Sequence, residues 1–107
     1  MTESAMTASI ATRKTEHSRL ADIDWNRLPF GRIFTDHMLS MDYRDGAWQK
    51  PEIIPFGPLS LYPGNATLHY GQAIFEGMKA IRAKDGRITL FRPALNARRF
   101  NESSIRL

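Results

Sequence analysis

Residues 68–80 read LHYGQAIFEGMKA, and what this run becomes decides how the chain folds. Tyr70, Ile74 and Met78 fall at i, i+4 and i+8, one face of a helix, so the spacing predicts a short helix that Gly77 can end. Gly71 and Gly77 count against it, at about 1 kcal/mol each relative to alanine inside a helix. A close approach, a hinge or a loose turn would each account for them. Before this run, Tyr62-Pro63-Gly64-Asn65 is a strong turn signal. After it, residues 79–83 and 87–92 form two predicted strands joined by Lys84-Asp85-Gly86, with Ile81, Ile88 and Leu90 on the apolar side. Asp-Gly between alternating runs is a hairpin signal. Pro93 suits the first turn of a helix, expected over 94–107, and no capping Gly, Pro or Asn follows it. The chain is expected to break off inside that helix.

Working upstream, residues 37–43 alternate, with Leu39, Met41 and Tyr43 on one side and Met38, Ser40 and Asp42 on the other, which predicts a half-buried strand. Arg44-Asp45-Gly46 marks a turn. Residues 48–61 follow as an extended run interrupted by Pro51, Pro55 and Pro58, placed at a sheet edge or as broken extended chain. Residues 22–34 hold Trp25, Leu28, Phe30, Ile33 and Phe34 around Pro29 and Gly31, an irregular apolar segment that needs a surface to pack on. Residues 1–22 are rich in Ser, Thr and Ala without apolar periodicity, and are expected to be a flexible tail. Residues 23–107 are then a partial small domain. So short a stretch buries only about 60% of the surface it exposes when unfolded. With no cysteine and three scattered histidines, neither disulfides nor zinc can reinforce it, so a cofactor, a second domain or a subunit must be considered.

The formal net charge is +4 and arginine greatly outnumbers lysine. Surface solubility explains this, as does an anionic ligand gripped by guanidinium forks, or a nucleic acid. The basic residues are dispersed, with no run of five, and composition does not decide among the three. No stretch approaches the roughly 20 apolar residues of a membrane span, and the N-terminus lacks the apolar region of a secretory signal. Arg13, Lys14 and Arg19 among hydroxyl residues faintly suggest an organellar transit peptide, against which stand Glu3 and Glu16. A cytoplasmic location, with neither nucleic acid nor membrane as partner, is the expectation.

The run 68–80, then Leu90-Phe91-Arg92-Pro93, then Asn96-Ala97-Arg98-Arg99-Phe100, resemble consecutive signatures of branched-chain amino acid aminotransferases. Residues 34–39 and 59–61 resemble an earlier part of the same domain. The likeness runs from about Phe30 to Leu107 with order and spacing intact. It implies an α/β (α+β-like) small domain from the N-terminal part of a fold-type IV enzyme that uses pyridoxal 5'-phosphate. The whole enzyme would move an amino group between Leu, Ile or Val and 2-oxoglutarate, as a homodimer.

By position before Phe100, the resemblance makes Arg99 the ligand of the cofactor phosphate, where a partly buried dianion calls for a fixed bidentate cation. On residue type alone Arg99 reads as a solvated helix residue, and Arg98, about 100° around the helix, as surface. Tyr70 and Phe75 match substrate-pocket positions, the ring of Phe75 as apolar wall and Tyr70 as wall plus hydroxyl. Their plain alternative is core packing, and one residue serves both purposes in a mostly apolar cleft. Lys79 is expected to be an exposed solubilising residue, since the Schiff-base lysine of the family lies beyond Leu107. No catalytic residue is therefore assigned within these 107 residues, which alone should lack activity. His69 reads as a packing or hydrogen-bonding residue, and no metal ligand is assigned. Other readings are a D-amino acid aminotransferase or aminodeoxychorismate lyase of the same fold type, a non-catalytic remnant, or a basic binding module.

Overall fold

Ile53 and Ile54 stand between two prolines, and the strand they form is central rather than marginal. The computed structural model describes residues 9–107. These fall into two units, the first ending at Leu59 and the second running Ser60–Leu107.

In the first unit β1 (Ala11–Thr12), β2 (His37–Ser40), β3 (Tyr43–Arg44), β4 (Ala47–Trp48) and β5 (Glu52–Pro55) follow in chain order. The three-stranded sheet has the order β1-β5-β2, with β1 parallel and β2 antiparallel to β5. Of the two readings of this proline-broken run, the sheet edge is thus corrected for β5, while residues 56–61 carry no strand and fit broken extended chain. Pro51 precedes the strand and Pro55 closes it opposite His37, so the missing N–H groups fall at the ends of the ladder. Between them Met38 pairs with Ile54 and Leu39 with Ile53. The strand expected over 37–43 stops at Ser40, and Tyr43 opens a separate hairpin with Trp48. Its turn residues Asp45 (φ 53°) and Gly46 (φ 76°) are both left-handed, the geometry whose twist matches paired strands. The Tyr43 ring meets Trp48 edge-on at 5.2 Å.

Part of the stretch read as a tail carries structure, while residues 1–8 lie outside the described residues. Arg13 N–H extends the β1 pairing to the Ile53 carbonyl at 2.8 Å. Thr15 N–H donates to His37 Nε2 at 3.0 Å. Asp36 accepts from Ser18 Oγ at 2.6 Å and Arg19 N–H at 2.9 Å, and the Ser18 bond leads in holding its carboxyl below the usual range. A single 3-10 turn, Leu20–Asp22, leads into the apolar segment, where Phe34 stacks on Phe56 at 4.8 Å.

The second unit contains α1 (Ala66–Tyr70), β6 (Ala80–Arg82), β7 (Ile88–Leu90) and α2 (Pro93–Ser104). Asn65 caps α1, its side chain accepting from Thr67 N–H at 2.9 Å. The helix predicted through Met78 instead ends at Tyr70. Gly71 takes the left-handed conformation (φ 60°, ψ 28°) and sends its N–H back to the Ala66 carbonyl. That is a capping geometry glycine adopts without a Cβ penalty, and it releases residues 71–79 from the helix. The hairpin of β6 and β7 forms as expected, Ala80 opposite Leu90 and Arg82 opposite Ile88. Pro93 starts α2 as expected, after Arg92 in a left-handed conformation (φ 48°, ψ 54°).

Strands and helices are mixed, as the α/β expectation has it. Among the described residues none is buried. Phe75 and Tyr70, for example, are 90% and 87% exposed. The apolar side chains form partial faces rather than a closed core.

Candidate functional site

The densest polar cluster of the second unit gathers around Glu76, in the segment that Gly71 frees from α1. Its Oε2 accepts from Arg99 Nε at 2.7 Å, and its Oε1 accepts from Arg99 Nη2. Oε1 also accepts from Asn96 Nδ2 at 3.0 Å and from Gly77 N–H at 3.1 Å. Asn96 Nδ2 donates as well to the Gly77 carbonyl at 2.9 Å, which fixes the loop to the helix. Asn96 and Arg99 are three residues apart on α2 and therefore share a face. Arg98, about 100° away, pairs with Glu102 one turn on at 3.1 Å and is a surface residue, as expected.

The pair is asymmetric in exposure. The Glu76 side chain is 12% exposed and that of Arg99 is 66% exposed. Hydrogen bonding from Arg99 first, and Asn96 second, pulls the Glu76 carboxyl down to about 2. The same bond raises the pKa of Arg99. Both groups are charged throughout the neutral range.

Phe75, Glu76, Gly77, Arg99 and Ser103 line a hollow of about 320 Å³. Phe75 also borders a neighbouring hollow of about 290 Å³, with Ala73, Ile74, Ser103, Arg106 and Leu107. Two of the three residues singled out from the sequence, Arg99 and Phe75, thus meet at one hollow. Tyr70 ends α1 and does not line it. Lys79 directly precedes β6. His69 hydrogen-bonds the Pro63 carbonyl through Nε2, the role its residue type suggested.

Sequence reasoning missed Glu76 and Asn96. Asn96 was accessible in principle through its helical spacing from Arg99. Glu76 was not, because it lies 23 residues from Arg99 and nothing local announces a contact at that separation.

The donor set suits a phosphate ester. A guanidinium has five N–H groups, and Glu76 engages Nε and one N–H of Nη2. Nη1 has no hydrogen-bond partner among the described residues, so a fork remains for an anion while the carboxylate holds the opposite edge.

No family model matches the chain. Individual relatives do. It is 51% identical over 85 residues to branched-chain-amino-acid transaminase 1 of Bacillus subtilis (strain 168), covering 78% of this chain and 24% of that protein. The branched-chain-amino-acid aminotransferase of Mycolicibacterium smegmatis is 52% identical over 79 residues, 73% of this chain and 22% of the relative. That of Haemophilus influenzae is 43% identical over 88 residues, 82% of this chain and 26% of the relative. The chain spans about a quarter of the length of the curated relatives it matches.

Proposed function

The chain belongs to the branched-chain amino acid aminotransferase family, and from that premise we propose that the full-length protein, at the length of its relatives, exchanges an amino group between Leu, Ile or Val and 2-oxoglutarate. The cofactor is pyridoxal 5'-phosphate, which when bound supplies the electron-withdrawing ring that makes such an exchange possible.

Arg99 holds the phosphate through the donors that Glu76 leaves available. Phe75 at the same hollow supplies apolar wall, which suits a branched aliphatic side chain and helps exclude water. Tyr70 adds wall and a hydroxyl on the substrate side. By the family resemblance the lysine that reacts with the cofactor lies outside these residues, and on that reading the 107-residue chain by itself should show no turnover of leucine with 2-oxoglutarate. We further place the full-length protein in the cytoplasm as a homodimer whose partner subunit completes the site. No helix of the described residues is long and apolar enough to cross a membrane.

The observation that carries the site assignment is the Arg99 fork, held by a carboxylate on one edge and open on the other beside Phe75. The test compares binding of pyridoxal phosphate with binding of pyridoxal, which lacks the phosphate, in the full-length protein. Arg99→Ala should abolish most of the preference for the phosphorylated form. An unchanged preference refutes the role of Arg99. Absence of leucine turnover by the full-length wild type refutes the activity.

A further inference from the structure

We propose that Glu76 is the positioning residue for Arg99, holding the guanidinium in register for a phosphate ester before one arrives. This rests on the reading of Arg99 as the phosphate ligand and extends it to a residue that reading does not include.

An arginine on a largely exposed stem has many rotamers, and freezing them on binding costs side-chain entropy. Here the stem of Arg99 rises from the middle of α2, and its guanidinium is already gripped through Nε and Nη2. The grip belongs to the loop: Glu76 is half-buried, and four donors converge on its two oxygens, from Arg99 twice, Asn96 and Gly77. A carboxylate so saturated has little freedom to swing toward water. Asn96 completes the device by tying both the carboxylate and the Gly77 carbonyl to the same helix face as Arg99. Ordering achieved in the free protein is not charged again on binding, so affinity for the phosphate rises.

Exposure and partner number set this arrangement apart from a plain surface ion pair. Arg98 and Glu102 show what such a pair looks like: 3.1 Å apart, with both side chains more than half exposed and no third partner. Glu76 has three different partners and 12% exposure. Its pKa of about 2 keeps it ionised across the working range, so the hold does not lapse with pH near neutrality. The Glu102 pair therefore serves as an internal control of matching chemistry at higher exposure and without further partners.

The experiment measures the affinity ratio of pyridoxal phosphate to pyridoxal by equilibrium dialysis, with full-length wild type, Glu76→Gln, Glu76→Asp, Asn96→Ala, Glu102→Gln and Arg99→Ala. Glu76→Gln keeps the size but presents the guanidinium with a weaker acceptor. It should lower the ratio on the order of tenfold to a hundredfold, by analogy with metal sites that lose a partner orienting a metal-holding side chain. Pyridoxal affinity itself should stay unchanged. Glu76→Asp restores the charge and should recover part of the ratio, which a merely structural role would not predict. Glu102→Gln should match wild type. If Arg99→Ala removes the preference while Glu76→Gln keeps the wild-type ratio, the positioning role is overturned and the phosphate role stands. If Arg99→Ala keeps the preference, both are overturned. Should Glu76→Gln fail to fold, Asn96→Ala decides: a fall of threefold or more supports the inference, and an unchanged ratio overturns it.

Discussion

Replacing Gly71 with alanine should loosen the segment that carries Phe75 and Glu76, by an amount set almost wholly by backbone conformation. Gly71 sits at φ 60° and ψ 28°, and its N–H closes α1 on the Ala66 carbonyl. A Cβ built there would meet no atom within 4 Å, so the substitution adds no clash. What remains is the left-handed conformation itself, worth roughly 1 to 2 kcal/mol for a residue with a Cβ. Because 1.4 kcal/mol is tenfold in an equilibrium constant, local opening should become about five to thirty times more frequent. Amide hydrogen exchange of residues 66–77 in the full-length protein reads this directly, since it reports local opening rather than global unfolding. Gly71→Asn should fall between wild type and alanine, because asparagine tolerates the left-handed region better. Gly77→Ala is the contrast: its φ is outside the positive region and its Cβ site is equally open, so exchange there should stay level or slow slightly. Equal effects of alanine at positions 71 and 77 would refute the argument, since a Cβ finds open space at both sites and only position 71 has a positive φ.

Two further outcomes follow from the same unit. Arg92 is left-handed (φ 48°) immediately before Pro93, so Arg92→Gly should relieve strain and slow exchange in the first turn of α2 several-fold; faster exchange would show the conformation to be unstrained. The Glu76 carboxyl, lowered from 4.5 to about 2, contributes stability that is present above pH 4.5 and lost as pH falls through about 2. Carbon NMR should accordingly place its titration near 2 in wild type and move it back toward 4.5 in Arg99→Ala, and an unmoved midpoint would rule out the ion pair.

The elements that sequence reading placed correctly are those written in local backbone chemistry. Lys84-Asp85-Gly86 closes the β6 and β7 hairpin, and Pro93 opens α2, because each needs only the φ and hydrogen-bond habits of two or three residues. The errors arise where distant partners decide. The Tyr70, Ile74, Met78 spacing describes a helix face, but a face stabilises a helix only when something packs on it, and no described residue is buried. With that driving force absent, the cap at Gly71 prevails and the helix ends. The position of β5 between β1 and β2 was hidden for a related reason. Prolines at 51 and 55 describe one strand's ends, while its two neighbours come from residues 11–12 and 37–40.

The site divides along the same line, and the division explains why its two halves differ in character. Arg99 could be singled out because a motif fixes its place before Phe100, and a helix converts spacing into direction. Phe75 followed from a different motif, the 68–80 run. Glu76 sits in the 68–80 run beside Phe75, yet its partner lies a hairpin away, and only the return of the chain through β6 and β7 brings α2 within reach. Lys79 is the nearest cation in sequence, three residues on, yet the structure pairs the Glu76 carboxylate with Arg99. The arginine assigned to an anion is thereby shared with a residue of the protein's own. The phosphate would bind not a free cation but one already oriented, which makes the Glu76 carboxylate a condition of the site rather than a competitor for it.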